Sequence, residues 1–141
     1  MIGVPAAGHS SEAIRRAVVV DRDSVAAGDD TTSHACTIDI ETRRSVTDLI
    51  AEARRACPLA SIAGGRATWL VDMAGPARGC IGVVAQQWDA PKLLVPGCTT
   101  IAEYFGSAEA SVFFRYWCQA DPDAVFEALR GGHELPSRYG T

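Results

Sequence analysis

Lysine is almost missing from this chain. Of thirteen basic residues, twelve are arginine and only Lys92 is lysine. Together with 23 alanines, that bias points to a GC-rich genome, and an actinobacterial or similar source is expected. Thirteen basic against seventeen acidic residues leave a net charge of −4. A protein that grips nucleic acid must release counterions with a basic field, so no nucleic-acid partner is expected. No apolar run approaches the ~20 residues of a membrane span, so no membrane partner is expected either. The opening residues, Met1 to Ala7, carry no basic segment and no long apolar segment of a secretion signal. Five cysteines, odd in number and far apart, do not make the disulfide framework of a small secreted protein. A reducing cytoplasm is the expected location.

Other absences narrow the chemistry. No Cys-x-x-Cys occurs, and the nearest ligand pair is His34-Ala35-Cys36. Zinc needs about four ligands, and nothing nearby supplies the rest, so no metal and no cofactor are expected. Gly64-Gly65 lacks the Lys-Ser/Thr ending of a phosphate loop and precedes a strand pattern rather than a helix. Gly28-Asp29-Asp30 is similar to a string found in polymerase palms, but a chain of 141 residues has no room for that architecture.

What is present describes one globular domain. Apolar residues make up 48% and charged residues 21% of the chain, near the globular average. Such a length buries roughly two-thirds of the unfolded surface. It is too short for a β/α barrel of about 250 residues. A loose arm is expected over residues 1–15, one domain over 16–131, and a tail over 132–141.

The β-branched run Ala17-Val18-Val19-Val20 predicts a first strand near 16–22. A polar connection, Ala26 to Ser33, leads to Cys36, Ile38 and Ile40, which alternate with Thr37, Asp39 and Glu41. That period of two predicts a half-buried strand. Ser45 and Asp48 form a capping box, and Val46, Leu49, Ile50 and Ala53 share one helical face. Arg54 and Arg55 suit its negative end, and Pro58 stops it. Strands are expected at Ala67–Val71, Cys80–Ala85 and Lys92–Val95, with a turn at Gly75-Pro76. The nearly all-apolar Cys80–Ala85 run is expected at the centre of the sheet. Thr100 and Glu103 cap a short helix that ends at Gly106. Ser111–Cys118 is the most aromatic strand. Asp121 caps a last helix over 122–130, with Pro122 at its first position and Gly131 as its stop.

This order of elements resembles the ubiquitin-like β-grasp family. Thr37 to Glu41 running into Ser45 to Ile50 looks like the second strand and helix of that fold. Thr100 to Phe105 followed by Ser111 to Tyr116 looks like its short helix and last central strand. The likeness covers about residues 16–118. It implies an α+β domain with a mixed sheet of about five strands, one packed helix, a short second helix and an added C-terminal helix. It also implies a choice among modifier, carrier, adaptor and inhibitor roles. Leu129-Arg130-Gly131-Gly132 is similar to the tail of ubiquitin-like modifiers. Here the string leaves a predicted helix and is followed by His133–Thr141. It is either a helix stop or a processing site after Gly132.

Three features carry chemistry. Asp21, Asp23, Asp29 and Asp30 crowd the first hairpin with only Arg22 against them. They form a solvated tip, a divalent-cation site, or an acidic plug for a basic site on another protein, and such a plug would speed association. Phe113 and Trp117 alternate with Val112, Phe114 and Tyr116, so both faces of the last strand need cover. Either the C-terminal helix covers the second face, or Phe113, Trp117 and Trp88 form a partner patch. Cys98, in a loop before a helix, is the best-placed thiol for a nucleophile; His34 and His133 are the candidate bases, and no spacing argues for either. A small buried hydrophobe is the plainer role for a cysteine. The expected role is therefore a non-catalytic protein-binding module, of inhibitor, immunity or adaptor type. A Cys98 enzyme and a modifier ending at Gly132 are the alternatives. Nothing in the sequence sets the oligomeric state.

Overall fold

The computed structural model describes residues 14–23, 34–60, 65–74 and 79–137. The arm before residue 14, the acidic pair Asp29-Asp30, Gly64 and the Gly75-Pro76 turn lie outside the described residues.

The β-branched run forms strand β1 (Arg15–Arg22), which pairs antiparallel with β2 (Cys36–Glu41). Val18 and Val20 are fully buried and Ile40 nearly so. Strands β3 (Thr68–Ala74), β4 (Gly79–Ala85), β5 (Lys92–Leu93) and β6 (Ser111–Tyr116) complete a mixed, open sheet. Its order is β2-β1-β6-β3-β4-β5, with β1 and β6 parallel and the other neighbours antiparallel. The fold is α+β, with six strands rather than about five. The strand at Cys80–Ala85 is not central, because only two residues of β5 flank it. Its burial comes from cover on both faces. Gly82 lets β5 approach, since a Cβ there would sit 2.5 Å from the Lys92 carbonyl oxygen.

Three helices are present among the described residues: α1 (Val46–Ala56), α2 (Ile101–Phe105) and α3 (Pro122–Gly131). In α1 the Asp48 amide donates to Ser45 Oγ at 3.0 Å, and the Asp48 carboxylate accepts from the Ser45 amide. Val46, Leu49, Ile50 and Ala53 are its buried face, as the spacing predicts. The starts of α1 and α2 lie side by side. The Val46 amide donates to the Thr99 carbonyl and the Ile101 amide to the Arg44 carbonyl, both at 2.8 Å. Each helix start thereby satisfies a donor that its partner leaves orphaned. The main core lies between α1, α2 and one sheet face. Trp69, Phe105, Phe114, Leu49 and Ile50 are its largest fully buried side chains.

Helix α3 packs on the other face. Leu70, Val83, Ala120 and Val125 are buried there, flanked by Trp88, Trp117, Phe126, Leu129 and Leu135. The helix stops one residue later than expected. Gly131 is still helical, and Gly132 takes the left-handed conformation with φ 70°. The His133 amide donates to Ala128 O and the Gly132 amide to Leu129 O, the bond pair of a Schellman stop. Past the stop, Leu135 packs on the second core, and the Trp117 indole donates to Pro136 O at 2.9 Å. Strand β6 ends at Tyr116 rather than Cys118. Cys118 turns the chain with φ 57°, and buried Thr68 receives it, its hydroxyl donating to Ala120 O at 2.6 Å.

Candidate functional site

Alternation along the strands decides which residues face away from the main core. On β1 these are Ala17, Val19 and Asp21. On β6 they are Ser111, Phe113 and Arg115, and on β3 Leu70 and Asp72. The register sets them in rows. Thr37, Val19, Ser111 and Ala74 lie abreast, and so do Asp21, Phe113, Asp72 and Cys80. Helix α3 stands over Leu70 and Val83, at one side of this face. Among the described residues no element packs over the β1–β2 side. Ala17 and Thr37 are exposed there, and Val19 is 45% exposed.

A bidentate ion pair marks the border between the covered and open halves. The Arg115 guanidinium donates from Nε and Nη2 to the two carboxylate oxygens of Asp72, both at 3.0 Å. The paired carboxylate raises the arginine pKa further, so Arg115 is a fixed cation. Arg115 also lies 5.6 Å from the Trp117 ring centre. Cys80 neighbours the pair, but burial raises its thiol and its Sγ donates to Gly82 O, so it is no nucleophile.

The free edge of β2 is blunted. Thr42 donates to Ile14 O across the β1–β2 ladder, so by register Asp39 turns its own backbone groups outward. Arg15 reaches across and donates to both the Asp39 carboxylate and its carbonyl oxygen, each at 2.8 Å. That occupies an edge acceptor which another strand would otherwise use.

The expected acidic residues separate into different roles. Asp21 lies beside Phe113 on the outer face, one oxygen accepting from the Arg22 amide. Asp23 is a structural clamp: its carboxylate accepts from the Tyr116 amide and its amide donates to Phe114 O, both at 2.9 Å. Asp29 and Asp30 lie outside the described residues. The aromatic residues separate too. Trp117 is half-buried beneath the C-terminal segment. Trp88 joins the same cluster with Lys92 Nζ 4.8 Å above its ring. Phe113 alone stands beside the open half.

Compared with protein-family models, curated proteins and solved structures, the chain matches none.

Cys98 is exposed on a loop docked against the start of α1, where Thr47 donates to Gly97 O at 2.9 Å. His34 lies at the other end of that helix, its carbonyl 3.3 Å from Cys57 Sγ. An 11-residue helix separates them, about 16 Å at the usual rise per residue. His133 follows α3, on the opposite face of the sheet. Neither candidate histidine reaches Cys98. A cleft of about 240 Å³ opens beside Trp88, with Arg66, Gln87, Gln119 and Asp121 among its lining. Those four are all exposed, so the cleft has no buried polar group to fix a ligand.

Sequence reasoning missed the open β1 face and the Asp72–Arg115 pair. Their signal was a charged residue at an outward position in each of two apolar strands. Only the register of β3 on β6 brings the two together.

Proposed function

We propose that this chain is a non-catalytic protein-binding module of the bacterial cytoplasm, of inhibitor, immunity or adaptor type. The observation that carries it is the outer face of β1, uncovered among the described residues, where exposed Ala17 and Val19 with half-buried Phe113 beside them make an apolar strip and Asp21 stands at its end. Asp21 stands where the chain enters the acidic connection to β2. The fitting partner presents an apolar ridge flanked by basic side chains. A ubiquitin-like β-grasp is the frame we propose for this surface. In its favour are the first hairpin, the helix after β2, and β1 lying parallel to the last strand in mid-sheet.

The alternatives have less behind them. A Cys98 enzyme has an exposed thiol in its favour, but neither His34 nor His133 is within its reach. A modifier ending at Gly132 would have to release a glycine pair that here terminates a helix.

Photo-crosslinking in the native host tests the proposal. A photoreactive residue at position 19 should give one discrete adduct with another polypeptide. The same residue at position 94, where Leu94 is 39% exposed elsewhere on the surface, should give none. No adduct at 19, or equal adducts at both positions, would count against a binding face on β1.

A further inference from the structure

Two of the five cysteines each place their sulfur against backbone close in sequence to the other. Cys36 Sγ is 3.8 Å from the carbonyl oxygen of Ala56, the residue bonded to Cys57. Cys57 Sγ is 3.3 Å from the carbonyl oxygen of His34, two residues before Cys36. Cys36 opens β2 and faces the main core from its rim, half-exposed. Cys57 is 4% exposed at the C-terminal end of α1. Each thiol thus sits across the junction of strand and helix from the other. Cys36 also makes the last pairing of the β1–β2 hairpin, opposite Val20, before the connection between those strands.

We propose that Cys36 and Cys57 are a reversible redox pair that closes a disulfide between β2 and the end of α1. The half-exposed Cys36 thiolate attacks a small disulfide oxidant such as oxidised glutathione. A mixed disulfide forms on Cys36 and one glutathione thiolate leaves. Cys57 gives up its proton, its sulfur attacks Cys36 Sγ, and the second glutathione leaves. The two protein thiols lose two protons and two electrons, and one glutathione disulfide becomes two glutathione thiols. Burial and the neighbouring Cys36 hold the Cys57 thiol above its ordinary pKa. Cys57 is therefore the resolving thiol and Cys36 the attacking one. The bond encloses the whole of α1 in a covalent loop and restricts the unfolded chain. It also fixes the return strand of the hairpin. None of this depends on the protein-binding role.

The test uses the full chain in mixtures of reduced and oxidised glutathione, quenched by alkylation. Intact mass and peptide mapping follow. The proposal expects a loss of two hydrogens, a cross-linked peptide joining Cys36 to Cys57, and full reversal by dithiothreitol. It also expects the oxidised form to melt several degrees higher. Cys36→Ser should abolish the link. Cys57→Ala should stop the reaction at a glutathione adduct on Cys36. Exposed Cys98 is the internal control. If Cys98 takes up glutathione while Cys36 and Cys57 stay reduced, or if any link joins other cysteines, the proposal is overturned.

Discussion

Removing the second core should loosen α3 and leave the first core standing. Leu70 is fully buried on the outer face of β3, and Val125 is fully buried on α3; both belong to one cluster with Val83 and Ala120. Leu→Ala at such a site costs about 2–5 kcal/mol, transfer and cavity terms together. The flanking residues here are only partly buried, so the site can relax, and about 3 kcal/mol is expected. Val125→Ala removes two methyl groups, about 1.6 kcal/mol by transfer, or about 2 with the residual cavity. Because the two side chains share one cavity, the double variant should lose less than the sum, with a coupling of about 1 kcal/mol. Urea unfolding of the four proteins measures this through the midpoint at constant slope. Val112→Ala combined with Val125→Ala is the control. Val112 lies in the main core, so the sheet separates the pair and the losses should add to within about 0.5 kcal/mol. Additive losses for Leu70 with Val125, or a Leu70→Ala cost below about 1 kcal/mol, would refute the packing of α3 on β3 and β4.

Gly132→Ala should cost about 1 kcal/mol, because φ 70° is strained for any side chain, whereas Gly131→Ala meets only the movable His133 ring and should stay within about 0.5 kcal/mol; thermal melts of both variants decide which glycine stops α3. Asp72→Asn should lower stability by about 1 kcal/mol in chemical denaturation, more than an exposed pair is worth, since Asp72 and Arg115 are bidentate and partly shielded. Arg55 and then Arg44 hold the partly exposed Glu52 carboxyl below the 4.5 of an ordinary glutamate. The support from Glu52 is therefore complete above that value and lost as pH falls through the lower, folded value, so the gap in Tm between wild type and Glu52→Gln should close in acid.

Local signals made most of the elements legible. Ser45 with Asp48, Thr100 with Glu103, and Asp121 with Pro122 each marked a helix start, because a cap is chemistry between residues a few positions apart. The inward alternation of Cys36, Ile38 and Ile40 held for the same reason. Non-local features did not show. Nothing near Asp72 points to Arg115, and nothing near Trp117 points to Pro136. The placement of β4 followed from hydrophobicity alone, which reports burial and not rank in the sheet. Cover from α3 on one face and the main core on the other buries β4 as deeply as a central strand. Gly131 and Gly132 both fit a helix stop by composition, and only the backbone angle separates them. Of the candidate site, the acidic end was legible in Asp21, but the open face was not. Val19 reads as one more core valine until β1 is set between β2 and β6.

Co-purification of the full chain from its native host, wild type beside a Val19→Asp/Phe113→Ala variant, tests the central claim most directly. Both positions lie on the outer face, so circular dichroism should show the variant folded. The account predicts that one protein accompanies the wild type in fixed ratio and is lost from the variant. It also predicts that Leu94→Ala, changed on another surface, keeps it. A partner retained by the variant, or no partner with the wild type, would contradict it.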